Sequence, residues 1–116
     1  MPTRKKNKQI KLYGIYGVHT PESCPVTNTE VAARLVEWFE NTDVDSILGK
    51  YKIDRILGQF HSPLEHSLLW GMEAEDPHLI QKVCFDSPLA SFHTMKIVPM
   101  TTFAQVIQSA KKNHSL

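Results

Sequence analysis

A chain of 116 residues with 41% hydrophobic content suits one domain with a real core and leaves no room for a second of ordinary size. Its 13 basic and 12 acidic residues balance to a net charge of +1, so no field strong enough to dictate a nucleic-acid or membrane partner is present. No apolar run is long enough to cross a bilayer and the amino end lacks the apolar stretch of a signal peptide, which predicts a soluble, cytoplasmic protein.

Residues 1–8 are polar and basic through Arg4, Lys5, Lys6 and Lys8, with no aromatic residue between them, and read as a flexible, solvated terminus rather than a nucleic-acid arm. From Gln9 onward Ile10, Leu12, Tyr13, Ile15, Tyr16 and Val18 form a β-branched and aromatic run, apolar on both faces, which predicts a central strand covered on two sides. Gly14 and Gly17 within it imply a close backbone approach or a bulge. The run stops at His19, and Pro21 and Pro25 bracket a loop that cannot continue a ladder.

Thr27 and Glu30 have the spacing of a capping box and lead into Val31, Ala32, Leu35, Val36 and Phe39, a helical stripe that Trp38 widens. Val44, Ile47 and Leu48 ahead of Gly49 predict a short second helix, with Asp43 and Asp45 as its solvated cap. Arg55 to His61 predicts a second strand, Ser62 to Glu65 a hairpin turn, and His66 to Glu73 a third strand. Asp76 followed by Pro77 is a strong helix start, with Leu79, Ile80, Val83 and Cys84 as the buried stripe. A fourth strand over Ser91 to Val98, a short closing helix with Phe103, Val106 and Ile107, and a polar tail over 109–116 complete a domain spanning 9–108.

The order is β-α-β-β-α-β, the ferredoxin-like split arrangement of an α+β domain, with sheet order 4-1-3-2 and the helices on one face. The other face then needs a second layer, which a homodimer pairing sheet on sheet would supply. In this order and composition the chain resembles the dimeric α+β barrel superfamily. Phe60, the run Leu68-Leu69-Trp70-Gly71-Met72-Glu73-Ala74-Glu75-Asp76-Pro77, Phe92 and Ile97-Val98-Pro99-Met100-Thr101 resemble the small DUF3303-type domains of unknown function. The resemblance implies a dimeric barrel and assigns no activity.

The predicted topology gathers polar residues that lie far apart in sequence. His19 ends the first strand, His66 begins its antiparallel neighbour the third, His61 precedes the hairpin turn between the second and third strands, and His93 begins the fourth strand, so four of the six histidines converge on one sheet edge with Glu22, Cys24 and Glu65. His78 and His114 do not. Imidazole, thiolate and carboxylate are ligands for zinc, iron or copper, which makes His19, His61, His66 and His93 candidate metal ligands with Cys24 or Glu22 completing the set. The other reading of the same histidines is as loop caps and rim residues.

Cys24 and Glu22 are also the candidate catalytic residues, the thiol as a nucleophile or sulfur carrier near the first turn of a helix. Sulfur oxygenase reductases, in the resembled superfamily, join a cysteine to an iron held by two histidines and a carboxylate; by that likeness Glu73 or Glu75 would join His61 and His66. Tyr13, Tyr16, Trp38, Phe60 and Trp70 are candidate walls of a small-molecule cleft. Glu73 on a central strand needs a partner, for which Lys96 and Arg55 are at hand. The function predicted is a metal- or small-molecule-binding pocket, in a small oxidoreductase or a metal- or sulfur-handling protein. Its rival is a non-catalytic binding or assembly module whose histidines rim a subunit interface.

Overall fold

β-branched and aromatic residues drive the first strand, β1 (Lys11–Val18), in a computed structural model that describes residues 9–116. The remaining elements are α1 (Thr29–Asn41), α2 (Val44–Tyr51), β2 (Ile53–Ser62), β3 (Ser67–Ala74), α3 (Pro77–Asp86), α4 (Leu89–Phe92), β4 (Thr94–Met100) and α5 (Phe103–His114). The strands form one four-stranded sheet in the order β2-β3-β1-β4, with every neighbouring pair antiparallel. This is an α+β fold, consistent with the ferredoxin-like arrangement. The basic residues of 1–8 lie outside the described residues. Among those described, no helix is long and apolar enough to cross a membrane.

Alternation along the strands separates the two faces of the sheet. Tyr13 and Ile15 on β1 and Leu68, Trp70, Met72 and Ala74 on β3 are buried against the helices. Ile47, Tyr51, Ile80, Val83, Cys84 and Leu89 close over them, and Phe39 meets Trp70 edge to face with ring centroids 6.0 Å apart. Each fully buried aliphatic side chain of this set stabilises the fold by about 1.5–3 kcal/mol. On the opposite face Tyr16, Val18, Leu57, Phe60, Leu69 and Met100 are exposed, so among the described residues β1 is covered on one side only and not on both as its composition predicts.

Several boundaries move for identifiable reasons. The cap of α1 is Asn28, whose side chain accepts from the Val31 N–H, and not Thr27. Gly49 does not end α2; the helix runs to Tyr51 and closes at Lys52 in the left-handed conformation at φ 56°. α3 ends at Asp86, two residues ahead of Pro88, but a single further turn, α4, follows the proline, so β4 begins at Thr94 and His93 caps that turn instead of opening the strand. The closing helix α5 is longer than its apolar residues imply and takes in most of the predicted polar tail.

The register decides which predicted site residues can meet. The ladders of β1 with β3 and of β1 with β4 run without a shift from end to end, so Gly17 carries no bulge. It carries a close approach instead: a Cβ there would lie 2.8 Å from Met95 Sδ, 2.9 Å from Leu68 Cγ and 3.1 Å from His93 Cδ2. Only β2 is irregular, shifting between Ile53 and Arg55 and between Ile56 and Gly58. Glu73 faces Leu12 and pairs with Arg55 through a 2.6 Å contact, at the end of the sheet remote from His19.

Candidate metal centre

The site is assembled at the edge where β1 ends and β3 begins. Val18 is paired with Ser67, and one step beyond the ladder the His19 N–H donates to the His66 carbonyl at 2.9 Å, which pins the two histidines together by their backbones. His66 adopts φ 52°, a left-handed conformation uncommon for a residue with a side chain, at the last position of the β2–β3 turn. After His19 the chain makes a 3-10 turn over Pro21–Ser23, closed by Ser23 N–H to Thr20 O and Cys24 N–H to Pro21 O, and this turn brings Cys24 back toward the histidines. Asn28 clamps the returning loop from both sides. Its Oδ1 caps α1, and its Nδ2 donates to the Glu22 carbonyl at 2.8 Å.

His19, Cys24 and His66 each thereby offer a ligand atom, and the three atoms lie within 4.8 Å of one another. His19 and Cys24 are buried and His66 is half-buried. Ligands at about 2.0–2.3 Å around a tetrahedral ion stand roughly 3.3–3.7 Å apart, so modest side-chain rotation closes the set onto one ion. No carboxylate joins them. Glu22 is exposed and takes part through its backbone carbonyl, while Glu73 and Glu75 lie away from this edge.

The tautomers of the buried histidines follow from the hydrogen bonds. Burial pushes His93 down to about 4, with further lowering from His19 and His61 against the opposing pull of the Leu89 carbonyl, and burial also lowers His19, helped by His61 and His66. Both are therefore neutral at pH 7. A carbonyl can only accept, so the 3.0 Å contact to Leu89 O puts the His93 proton on Nδ1 and leaves Nε2 as an acceptor. The 2.9 Å contact between His93 Nε2 and His19 Nδ1 then requires the His19 proton on Nδ1. His19 Nε2 is left with a bare lone pair, buried and without a hydrogen-bond partner among the described residues, and His66 Nδ1 is likewise buried without a partner there. Unpaired buried polar atoms are rare and costly, and here two of them lie beside a buried thiol.

The predicted ligands thus take three different positions. His19 and His66 belong to the donor group together with Cys24. His93 stands behind His19 with both ring nitrogens engaged, as the outer-shell partner of a ligating imidazole does. His61 is exposed and stacks flat on His19, with centroids 5.3 Å apart and planes 6° apart; burial and the nearby His66 lower its basicity. His19 and His93 are too deeply buried to be rim residues. His78 binds its own helix cap, Asp76, away from this edge. Cys84, the other free thiol, is buried in the core and pushed up to about 11, which leaves it chemically quiet.

A cavity of about 280 Å³ adjoins the centre, between α1 and the sheet. Leu35, Phe39, Leu68, Trp70 and Leu89 give it apolar walls, while His61, His93 and Pro25 bring it within a side chain of the donor group. Of the predicted aromatic walls, Phe60 and Trp70 line it. No protein-family model, curated protein or solved structure matches the chain.

Proposed function

We propose that this chain is a small metal-binding protein, holding one transition-metal ion on His19 Nε2, His66 Nδ1 and the Cys24 thiolate. The observation that carries the reading is the orphaned His19 Nε2, held bare and aimed by the relay from Leu89 O through His93. Two imidazoles and a thiolate, without a carboxylate, favour zinc or copper over iron. The ion would supply Lewis acidity or electron transfer, and the protein orients its donors and limits its contact with water.

Three protein ligands leave a tetrahedral ion one open position, the feature that separates reactive centres from closed structural ones. The adjoining cavity suits a small, largely apolar molecule as the fourth ligand. Cys24 serves in this reading as a ligand and not as a free nucleophile, because its side chain is only 2% exposed. Glu22 then has no chemical role. Two free cysteines fit a reducing compartment such as the cytoplasm. The apolar open face of the sheet supports assembly as a homodimer, sheet on sheet, of the dimeric α+β barrel kind.

The test is competition for zinc or copper(I) between the chelator-stripped protein and a chromophoric chelator. One ion per chain is expected. Cys24→Ser and His19→Ala should each weaken binding by well over the ~100-fold that loss of an outer-shell partner costs. Substoichiometric binding, or variants that bind as the parent does, would sink the reading.

A further inference from the structure

Helix α5 is locally well built but buries no residue among the described ones. Thr102 and Gln105 form a full capping box, with Thr102 Oγ1 accepting from Gln105 N–H at 3.2 Å and Gln105 Oε1 accepting from Thr102 N–H at 2.9 Å. Lys111, Lys112 and His114 in the last turn complement the helix dipole, and Ser115 closes it at φ 53°. Among the described residues, however, no side chain of α5 is buried. Phe103, Val106, Ile107 and Ala110 fall at the i, i+3, i+4 and i+7 positions of one apolar stripe, and Phe103 is 85% exposed. A helix of this length is marginal in water unless an apolar stripe finds a surface.

The same chain carries a second uncovered apolar surface. Tyr16, Val18, Leu57, Phe60, Leu69 and Met100 form the open face of the sheet, and α5 leaves the end of that face across the two-residue link Thr101–Thr102. The charged groups there are peripheral: Lys96 sits on the edge strand beside Tyr16, and Arg55 is spent on Glu73. Face and stripe both carry heavily exposed aromatics, Phe60 at 65% and Phe103 at 85%, and pooled they offer more apolar area toward the ~800 Å² per partner of a standard interface than the face alone does. A net charge of +1 opposes self-association hardly at all. A twofold pairing presents the same patch from both partners and can bury both surfaces at once.

We propose that α5 is an exchanged arm, which crosses to a second copy of this chain and lays its Phe103–Val106–Ile107–Ala110 stripe on the partner. The inference rests on the sheet-paired homodimer and adds the arm to it; it does not depend on the metal. The two-residue link makes exchange inexpensive, since only the path of the connection differs between an arm kept and an arm given.

Sedimentation equilibrium on the full chain, with Phe103→Asp/Ile107→Asp, Leu69→Lys and Gln108→Asp compared side by side, tests this. A dimer is expected for the parent and for Gln108→Asp, on the polar side of α5, with its dissociation constant raised at least 100-fold in the other two. A photo-crosslinking residue at position 103 should give a covalent product of twice the chain mass. A dimer weakened by Leu69→Lys but indifferent to Phe103→Asp/Ile107→Asp, or a crosslink that stays within one chain, overturns the arm and leaves sheet pairing standing. A parent that is monomeric at tens of micromolar overturns both.

Discussion

Replacing His66 by asparagine is expected to weaken the proposed metal binding severely while leaving the fold as stable as before, or slightly more so. His66 sits at φ 52°, where a side chain costs about 1–2 kcal/mol against the carbonyl that follows it, and asparagine is among the residues that tolerate this conformation best. The hydrogen bond that holds the turn to β1 uses the His66 carbonyl and survives the substitution. The lost imidazole removes one of three proposed donors, so affinity should fall on the order of 10³-fold, beyond the ~100-fold of an outer-shell loss. Urea denaturation of the metal-free variant should give a stability within about 1 kcal/mol of the parent. A larger loss would mean that the edge contact of the His66 ring with His19, at 5.3 Å, holds the turn, and that the residue is structural.

Acid should unfold the metal-free protein earlier than its carboxylates require. His93 has an ordinary value near 6.5 when unfolded and one of about 4 when folded, because burial and the neighbouring His19 and His61 disfavour its charge. Between those values the unfolded chain binds more protons than the folded one, so stability rises with pH across the window. It is fully present above pH 6.5 and is lost as pH falls toward 4, by about 3 kcal/mol from this one group. His19 and His61, both lowered, add loss in the same direction. Urea midpoints measured from pH 7.5 to 4 should therefore slope steeply, and His93→Gln, which cannot titrate, should flatten most of that slope. A variant with the parent's slope would place the acid sensitivity elsewhere.

The readability of this chain followed the strength of its local signals. β1 and the Asp76–Pro77 start of α3 are legible because each depends on neighbours in sequence: alternating β-branched and aromatic residues in one, a cap and a proline in the other. The gathering of His19, His61, His66 and His93 at one edge also follows from strand order alone. What sequence does not carry is direction. Whether a residue just past a strand end turns toward its neighbours depends on the turn after it, so the 3-10 turn that brings Cys24 back toward the histidines is not readable from Pro21 and Pro25. The single turn of α4 is too short to show periodicity, which put His93 on a strand and concealed its place behind His19. The double duty of Asn28 was likewise hidden, since Thr27 offers the better-known cap pattern.

Gly17 gives the site a vulnerability that its ligands do not reveal. The His93 ring rests almost on the backbone of β1, at a spot where any side chain would run into Met95, Leu68 and the ring itself. A single methyl group at Gly17 would therefore force Met95, Leu68 or the His93 ring to shift, with His19, Cys24 and His66 all still encoded. The hydrogen on that α-carbon sets how closely the His93–His19 pair can lie against the sheet, so the proposed centre is tied to a position with no chemistry of its own.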